Sequence, residues 1–231
     1  MWWWFASGAI AGSVANALIY RVPRRISWWQ GRSHCPHCKH DLTGLDLVPL
    51  LSYILLAGKC RYCHQPISPR YFLVELGLAA GFAYFHSPLL AAILWVTVII
   101  AAMDWETMLV SDWLVAVWAI LVIVWQYPLN FSQMALGIAV GVGVIGGIWA
   151  VTRGRAMGLG DVEIVAVAGL WLGWPKILPA LWVAFVAGAI IAVGQLLFKK
   201  KKLQSQIAFG PFLILGVWVA HIVNWIHVLP F

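Results

Sequence analysis

Only eight of the 231 residues are acidic, and two of them stand where a carboxylate is costly. Asp104 closes the run Ala101-Ala102-Met103-Asp104, and Asp161 follows Gly158-Leu159-Gly160. A charge at hydrocarbon depth costs about 2.5–3.5 kcal/mol on insertion scales, so each is a functional candidate. Two carboxylates brought together cannot both ionise freely: one keeps a proton while the other acts as base on a shared water. Either aspartate alone reads as a helix cap or an interfacial carboxylate. The two on one membrane face, with G-x-G-D around the second, read as a catalytic pair. The glycines before Asp161 are expected to let the backbone approach a substrate strand closely. Asp112 reads as the N-cap of the following helix rather than a third acid. Glu75, Glu106 and Glu163 read equally as solvated interfacial carboxylates or as groups that attract a cationic substrate segment.

The four cysteines form a second constellation, Cys35-Pro36-His37-Cys38 and Cys60-Arg61-Tyr62-Cys63, with 21 residues between the pairs. This spacing lets two turns close a tetrahedron of thiolates around Zn2+. Four Cys leave no open coordination position, so the metal is expected to fold the segment rather than catalyse. Disulfides conflict with the basic flanks, which place the segment in a reducing cytosol. A redox-active pair would need a thioredoxin-like βαβ pattern, which is missing. A nucleic-acid module would need a basic recognition helix, also missing.

These groups must be positioned by apolar helices. Hydrophobic residues make up 63% of the chain and charged ones 10%, with 16 Trp and a mean hydropathy of +0.88. Soluble domains carry about a quarter charged residues, and indole rings favour the membrane–water interface. About eight segments approach the ~20 residues that a span needs. They are Trp2–Tyr20, Tyr71–His86, Leu89–Met103, Trp113–Tyr127, Gln133–Val151, Val162–Trp174, Ile177–Phe198 and Ala208–Val228. The first is expected to be a retained span. Val162–Trp174 is short and runs into Gly173-Trp174-Pro175, which predicts a broken or tilted segment. The glycines at 137, 141, 143, 146 and 147 read as close helix packing rather than a nucleotide loop.

The predicted fold is therefore an all-α polytopic membrane protein with a small cytoplasmic zinc-binding domain between helices 1 and 2. Residues 1–20 form the first span, 21–70 the cytoplasmic domain and 71–231 the helical core. With the amino terminus outside, 14 of the 15 Lys and Arg fall in cytoplasmic connections, Lys199–Gln206 among them; only Lys176 does not. That is the bias of the positive-inside rule, and it puts the cysteines, Asp104 and Asp161 at the cytoplasmic face. The net charge of +7 thus reports topology rather than nucleic-acid binding.

The chain resembles the type IV prepilin peptidases, within the GxGD class of intramembrane aspartyl proteases. Similarity runs nearly end to end. It takes in Gly12-Ser13 with Asn16, Tyr20-Arg21-Val22-Pro23, Asp46-Leu47-Val48-Pro49 and Gly58-Lys59-Cys60, then Ile67-Ser68-Pro69-Arg70-Tyr71 with Glu75. Downstream come Gly158-Leu159-Gly160-Asp161 and Phe209-Gly210-Pro211-Phe212. The resemblance implies cleavage of the basic leader from prepilins or pseudopilins in the bacterial inner membrane, with Asp104 and Asp161 as catalytic groups. It also implies N-methylation of the new amino terminus with S-adenosylmethionine, in many members with a four-cysteine domain. Two residues depart from the family pattern: Val110-Ser111-Asp112 replaces Leu-Pro-Asp, and Glu163 replaces Lys. Both read as modulators. The competing readings are a zinc-stabilised transporter or scaffold, and a peptidase without methyltransferase activity.

Overall fold

A computed structural model of the chain describes residues 2–27, 30–128, 130–197 and 207–223. Its elements are α1 (Trp2–Arg21), a 3-10 turn (Gly44–Leu47), α2 (Leu51–Leu55), α3 (Pro69–Phe85), α4 (Pro88–Thr107) and α5 (Asp112–Trp125). α6 (Phe131–Thr152), α7 (Leu159–Leu172), α8 (Ile177–Leu197) and α9 (Gly210–Ile222) follow. Each of the eight apolar segments contains one long helix, and no strand occurs among the described residues. Three helices among those residues, α4, α6 and α8, are long and apolar enough to cross a membrane; α5 and α9 are apolar but shorter. The Lys199–Gln206 connection and the last residues of the eighth segment lie outside the described residues.

The chain divides into two compact units, Met1–Ile99 and Ile100–Phe231, with α4 running through the boundary. In the first unit α1 packs antiparallel on α3. Gly8 meets the backbone of Leu78 and Ala79, Gly12 meets Glu75, and Asn16 donates to the Tyr71 carbonyl at 2.9 Å. Small residues four apart let two backbones approach, the means by which helices associate without a hydrophobic drive. Trp95 of α4 donates to the Ala11 carbonyl at 2.8 Å, tying the same pair to α4.

The second unit is built around α7, which packs against α5, α6, α8 and α9. α7 has 14 residues, about 21 Å at 1.5 Å per residue, against roughly 30 Å of hydrocarbon. The expected break is present: Gly173, at φ 65°, ends the helix and α8 begins at Ile177. The freed backbone groups are met internally. Gln126 donates to the carbonyls of Leu170 and Trp171 at 2.6 and 2.8 Å, and the Trp174 N–H bonds Gln133 O at 3.0 Å. The helix starts earlier than Val162, because Gly158 caps it and Asp161 occupies its third position.

Packing accounts for part of the glycine run on α6. A β-carbon at Gly137 would lie 2.5 Å from the Gly169 carbonyl oxygen, and one at Gly169 would lie 2.5 Å from that of Gly137. Gly141 abuts Val165, whereas Gly143 and Gly147 face open space. Gly169→Ala is therefore expected to destabilise the protein in detergent by about 1–3 kcal/mol through overpacking. Gly143→Ala is expected to change stability by less than about 0.5 kcal/mol, both read by thermal unfolding.

Candidate functional site

Two turns of the same design carry the cysteines. In the first, Cys35 N–H donates to His40 O at 3.0 Å, Lys39 N–H donates to Cys35 O at 2.9 Å, and Lys39 has φ 61°. In the second, Cys60 N–H donates to Gln65 O at 2.9 Å, His64 N–H donates to Cys60 O at 3.0 Å, and His64 has φ 57°. The four sulfurs lie within 4.8 Å of one another, with Cys35 Sγ 3.9 Å from Cys63 Sγ. A tetrahedron with metal–sulfur bonds of about 2.3 Å has edges of about 3.8 Å, so the cluster fits a metal ion. All four thiols are unpaired, and those of Cys35 and Cys60 are buried. The Gln65 N–H favours the Cys63 thiolate, but burial and the sulfurs of Cys60, Cys38 and Cys35 outweigh it and push this thiol up to about 11. A cation at the centre would reverse that balance.

Asp46 binds the second turn to the 3-10 segment. It accepts from Arg61 Nε at 2.7 Å, Tyr62 OH at 3.2 Å, and the Thr43 N–H and hydroxyl at 3.0 and 2.8 Å. Burial opposes its charge, yet the Thr43, Arg61 and Tyr62 donors hold the carboxyl down at about 2. Tyr62 also stacks on His40 of the first turn, ring centroids 3.7 Å apart. Sequence reasoning passed over this network, although an acid at Asp46 with Arg61 and Tyr62 inside the second C-x-x-C was its signal.

Glu75 lies below this segment. Its carboxylate accepts the Leu50 N–H at 2.7 Å, within a tight turn where Leu50 has φ 63° and Leu51 N–H bonds Pro49 O at 2.6 Å. Such a three-residue turn is rare and strained for a branched side chain. Glu75 is thus engaged with the backbone. Glu106 and Glu163 are exposed.

The aspartates lie in the second unit. Asp104, in the last turn of α4, is 6% exposed, and Asp161, in the first turn of α7, is 8% exposed. The only other buried polar residues among those described are Asn16 and Thr97, so these two are the buried carboxylates. Asp104 acts electrostatically on Asp161. Asp161 Oδ2 accepts the Gly158 N–H at 3.0 Å, and Asp104 Oδ2 accepts the Gly210 N–H at 2.9 Å. Each carboxylate therefore meets a backbone donor at the start of a helix, where the helix dipole is positive.

One sequence expectation needs correction, and two contacts were not expected. A β-carbon at Gly160 would lie 2.6 Å from Val110 Cγ2, so the glycine admits the α4–α5 connection. Val110, the first residue of the departure from Leu-Pro-Asp, is the side chain that fills this space. Asp112 is not the N-cap of α5; Ser111 occupies that position without a side-chain bond, and Asp112 is the first helical residue. Asp112 instead acts electrostatically on Glu163, outside the buried pair. The role of Gly210 was missed. Its signal was Gly-Pro at a helix start, since Pro suits the first turn.

Residues 6–88 match the family described as the bacterial peptidase A24 N-terminal domain, and residues 91–193 match the type IV leader peptidase family. The prepilin leader peptidase/N-methyltransferases of Aeromonas hydrophila and Aeromonas salmonicida (strain A449) are 32% and 35% identical, over 94% of this chain and 88% of each relative. The type 4 prepilin-like proteins leader peptide-processing enzyme of Escherichia coli is 33% identical over 90% of this chain and 88% of its own length. No solved structure matches. The segment 91–193 contains Asp104 and Asp161, whereas Gly210 lies beyond it. Asp46→Ala is expected to loosen residues 43–63 by about 1.4 kcal/mol, read as roughly tenfold faster amide exchange there.

Proposed function

The chain belongs to the type IV leader peptidase family, and from that premise we propose how its residues perform the family's reaction. The protein is a prepilin peptidase and N-methyltransferase, an enzyme of prepilin processing. Asp104 and Asp161 are the proposed catalytic residues. The observation that carries this reading is that they are the two buried carboxylates among the described residues, each with one oxygen held by a backbone N–H.

In the proposed mechanism the ionised member of the pair takes a proton from water as the water attacks the scissile carbonyl. The protonated partner hydrogen-bonds the carbonyl oxygen and stabilises the tetrahedral intermediate. Collapse breaks the C–N bond, the leaving amine takes up a proton from the pair, and the leader departs with a new carboxylate. No covalent enzyme intermediate forms. The pair titrates as a unit, so the starting proton belongs to both carboxylates. Oδ2 of each aspartate is tied to backbone, and the two Oδ1 atoms are the ones assigned to water and carbonyl.

The bilayer setting follows from the apolar helices and the family. Eight spans in the inner membrane, the amino terminus outside and both aspartates at the cytoplasmic face are proposed from the distribution of basic residues. Residues 1–20, 21–70 and 71–231 then serve as anchor, cytoplasmic domain and peptidase core. The prepilin, or a pseudopilin, keeps its apolar helix among the lipids and presents its leader at that face. S-adenosylmethionine is the proposed methyl donor. Zn2+ is the proposed metal of Cys35, Cys38, Cys60 and Cys63; it would lock the two turns together and leave catalysis to the aspartates.

Asp104→Asn and Asp161→Asn are each expected to lower prepilin cleavage by at least about a thousandfold, the scale seen when one member of a catalytic unit is removed. The folded protein should persist, and Asp112→Asn should cleave within a few-fold of wild type. Gel and mass-spectrometric assays of purified variants read this, and substantial cleavage by either of the first two would reject the pair. For the metal, elemental analysis is expected to give one zinc per chain, lost when Cys35→Ser and Cys60→Ser are combined. Protein purified without chelator and carrying no metal would remove zinc from the account.

A further inference from the structure

The first turn of α9 offers an unusual set of donors. Phe209 stands at the N-cap with no side-chain bond to the helix, and Pro211 has no N–H. The N–H groups of Phe212 and Leu213 both turn back to Phe209 O, at 3.0 and 3.1 Å. One first-turn donor remains, the Gly210 N–H, and it goes to Asp104 Oδ2 at 2.9 Å across 106 residues of sequence. Buried backbone donors are almost always matched, and here the match is a carboxylate on another helix.

The residue type is constrained as tightly as the donor. A β-carbon at position 210 would lie 2.7 Å from Asp104 Oδ2 and 3.1 Å from Ile164 Cδ1. Ile164 is three residues after Asp161 on α7. Any side chain at 210 would push Asp104 off its donor or wedge α9 from the helix that carries its partner.

We infer that Gly210 is a positioning residue for the reaction: its N–H fixes the rotation of the Asp104 carboxylate and keeps Oδ1 as the working oxygen. Gly158 does the same for Asp161 from three residues earlier in the sequence, at 3.0 Å, so each member of the pair is oriented by a glycine N–H rather than by a side chain. The inference rests on the reading of Asp104 as catalytic. It adds that the orientation of Asp104 is set by α9, outside the segment carrying both acids.

The test replaces Gly210 in the full-length protein by glycolic acid, which turns the amide N–H into an ester oxygen and adds no atom to the side chain. Gly210→Ala, Gly194→Ala and Asp104→Asn are assayed beside it on a prepilin in detergent, with kcat, KM and thermal unfolding measured for each. Gly194 faces open space on α8, so Gly194→Ala is expected to match wild type. The ester is expected to lower kcat roughly ten- to a hundredfold with KM unchanged, the scale of one hydrogen bond to a charged group. Gly210→Ala is expected to lower kcat at least as far. An ester with wild-type kcat and KM would overturn the inference, as would one whose KM rises in step with a loss of thermal stability. If Asp104→Asn itself cleaves normally, the catalytic pair is wrong, and the Gly210 contact is merely a helix cap.

Discussion

Burying a carboxylate in an apolar bundle is tolerable only where donors meet it, and the contact between Asp104 and the start of α9 is the one on which the second unit depends. It links the end of α4 to the last described helix. Through Gly210 and Ile164 it brings that helix against α7, where Asp161 makes the equivalent bond to its own N-terminus. Helix starts suit this purpose because their N–H groups lack intrahelical partners and their dipoles favour negative charge. Among the described residues neither aspartate has an Arg or Lys partner, which would quench the base that the proposed reaction requires.

Close approach elsewhere makes this contact possible. α7 is too short to cross a bilayer without help, and it carries eight buried residues out of 14. Gly169 against Gly137 brings α6 onto one side of it, and Gln126 meets its last carbonyls. Gly160 against Val110 fixes the α4–α5 connection at the opposite end. The first unit uses the same device, with Gly8 and Gly12 of α1 against α3. Its polar segment is held differently, by Asp46 between the second cysteine turn and the 3-10 turn and by Glu75 on the strained Leu50 turn. Two physical regimes thus share one chain. Glycine contacts order the helices, and charged hydrogen bonds with a proposed metal order the segment outside them.

Much of this was legible in the residues. Apolar run lengths located the eight long helices among the described residues, the C-x-x-C spacing located the thiol cluster, and the cost of burying charge singled out Asp104 and Asp161. What was not legible depended on long-range contacts. Nothing local to Gly210 says that its N–H meets residue 104, and nothing local to Gly160 says that Val110 fills the space beside it. Asp112 was misplaced by one residue because Ser111 and Asp112 are both good cap types, and composition does not choose between them. The α6 glycines look alike in sequence, yet only those facing α7 are needed there.

The central claim is that two carboxylates of one chain activate a single water without forming a covalent intermediate. Single-turnover cleavage in H2 18O, with enzyme in excess over prepilin, tests it most directly. The account requires one 18O in the new carboxylate of the released leader, and natural mass in the enzyme peptides that carry Asp104 and Asp161. A leader released with 16O alone, together with 18O in either aspartate, would show that a carboxylate attacked the substrate itself and would contradict the account.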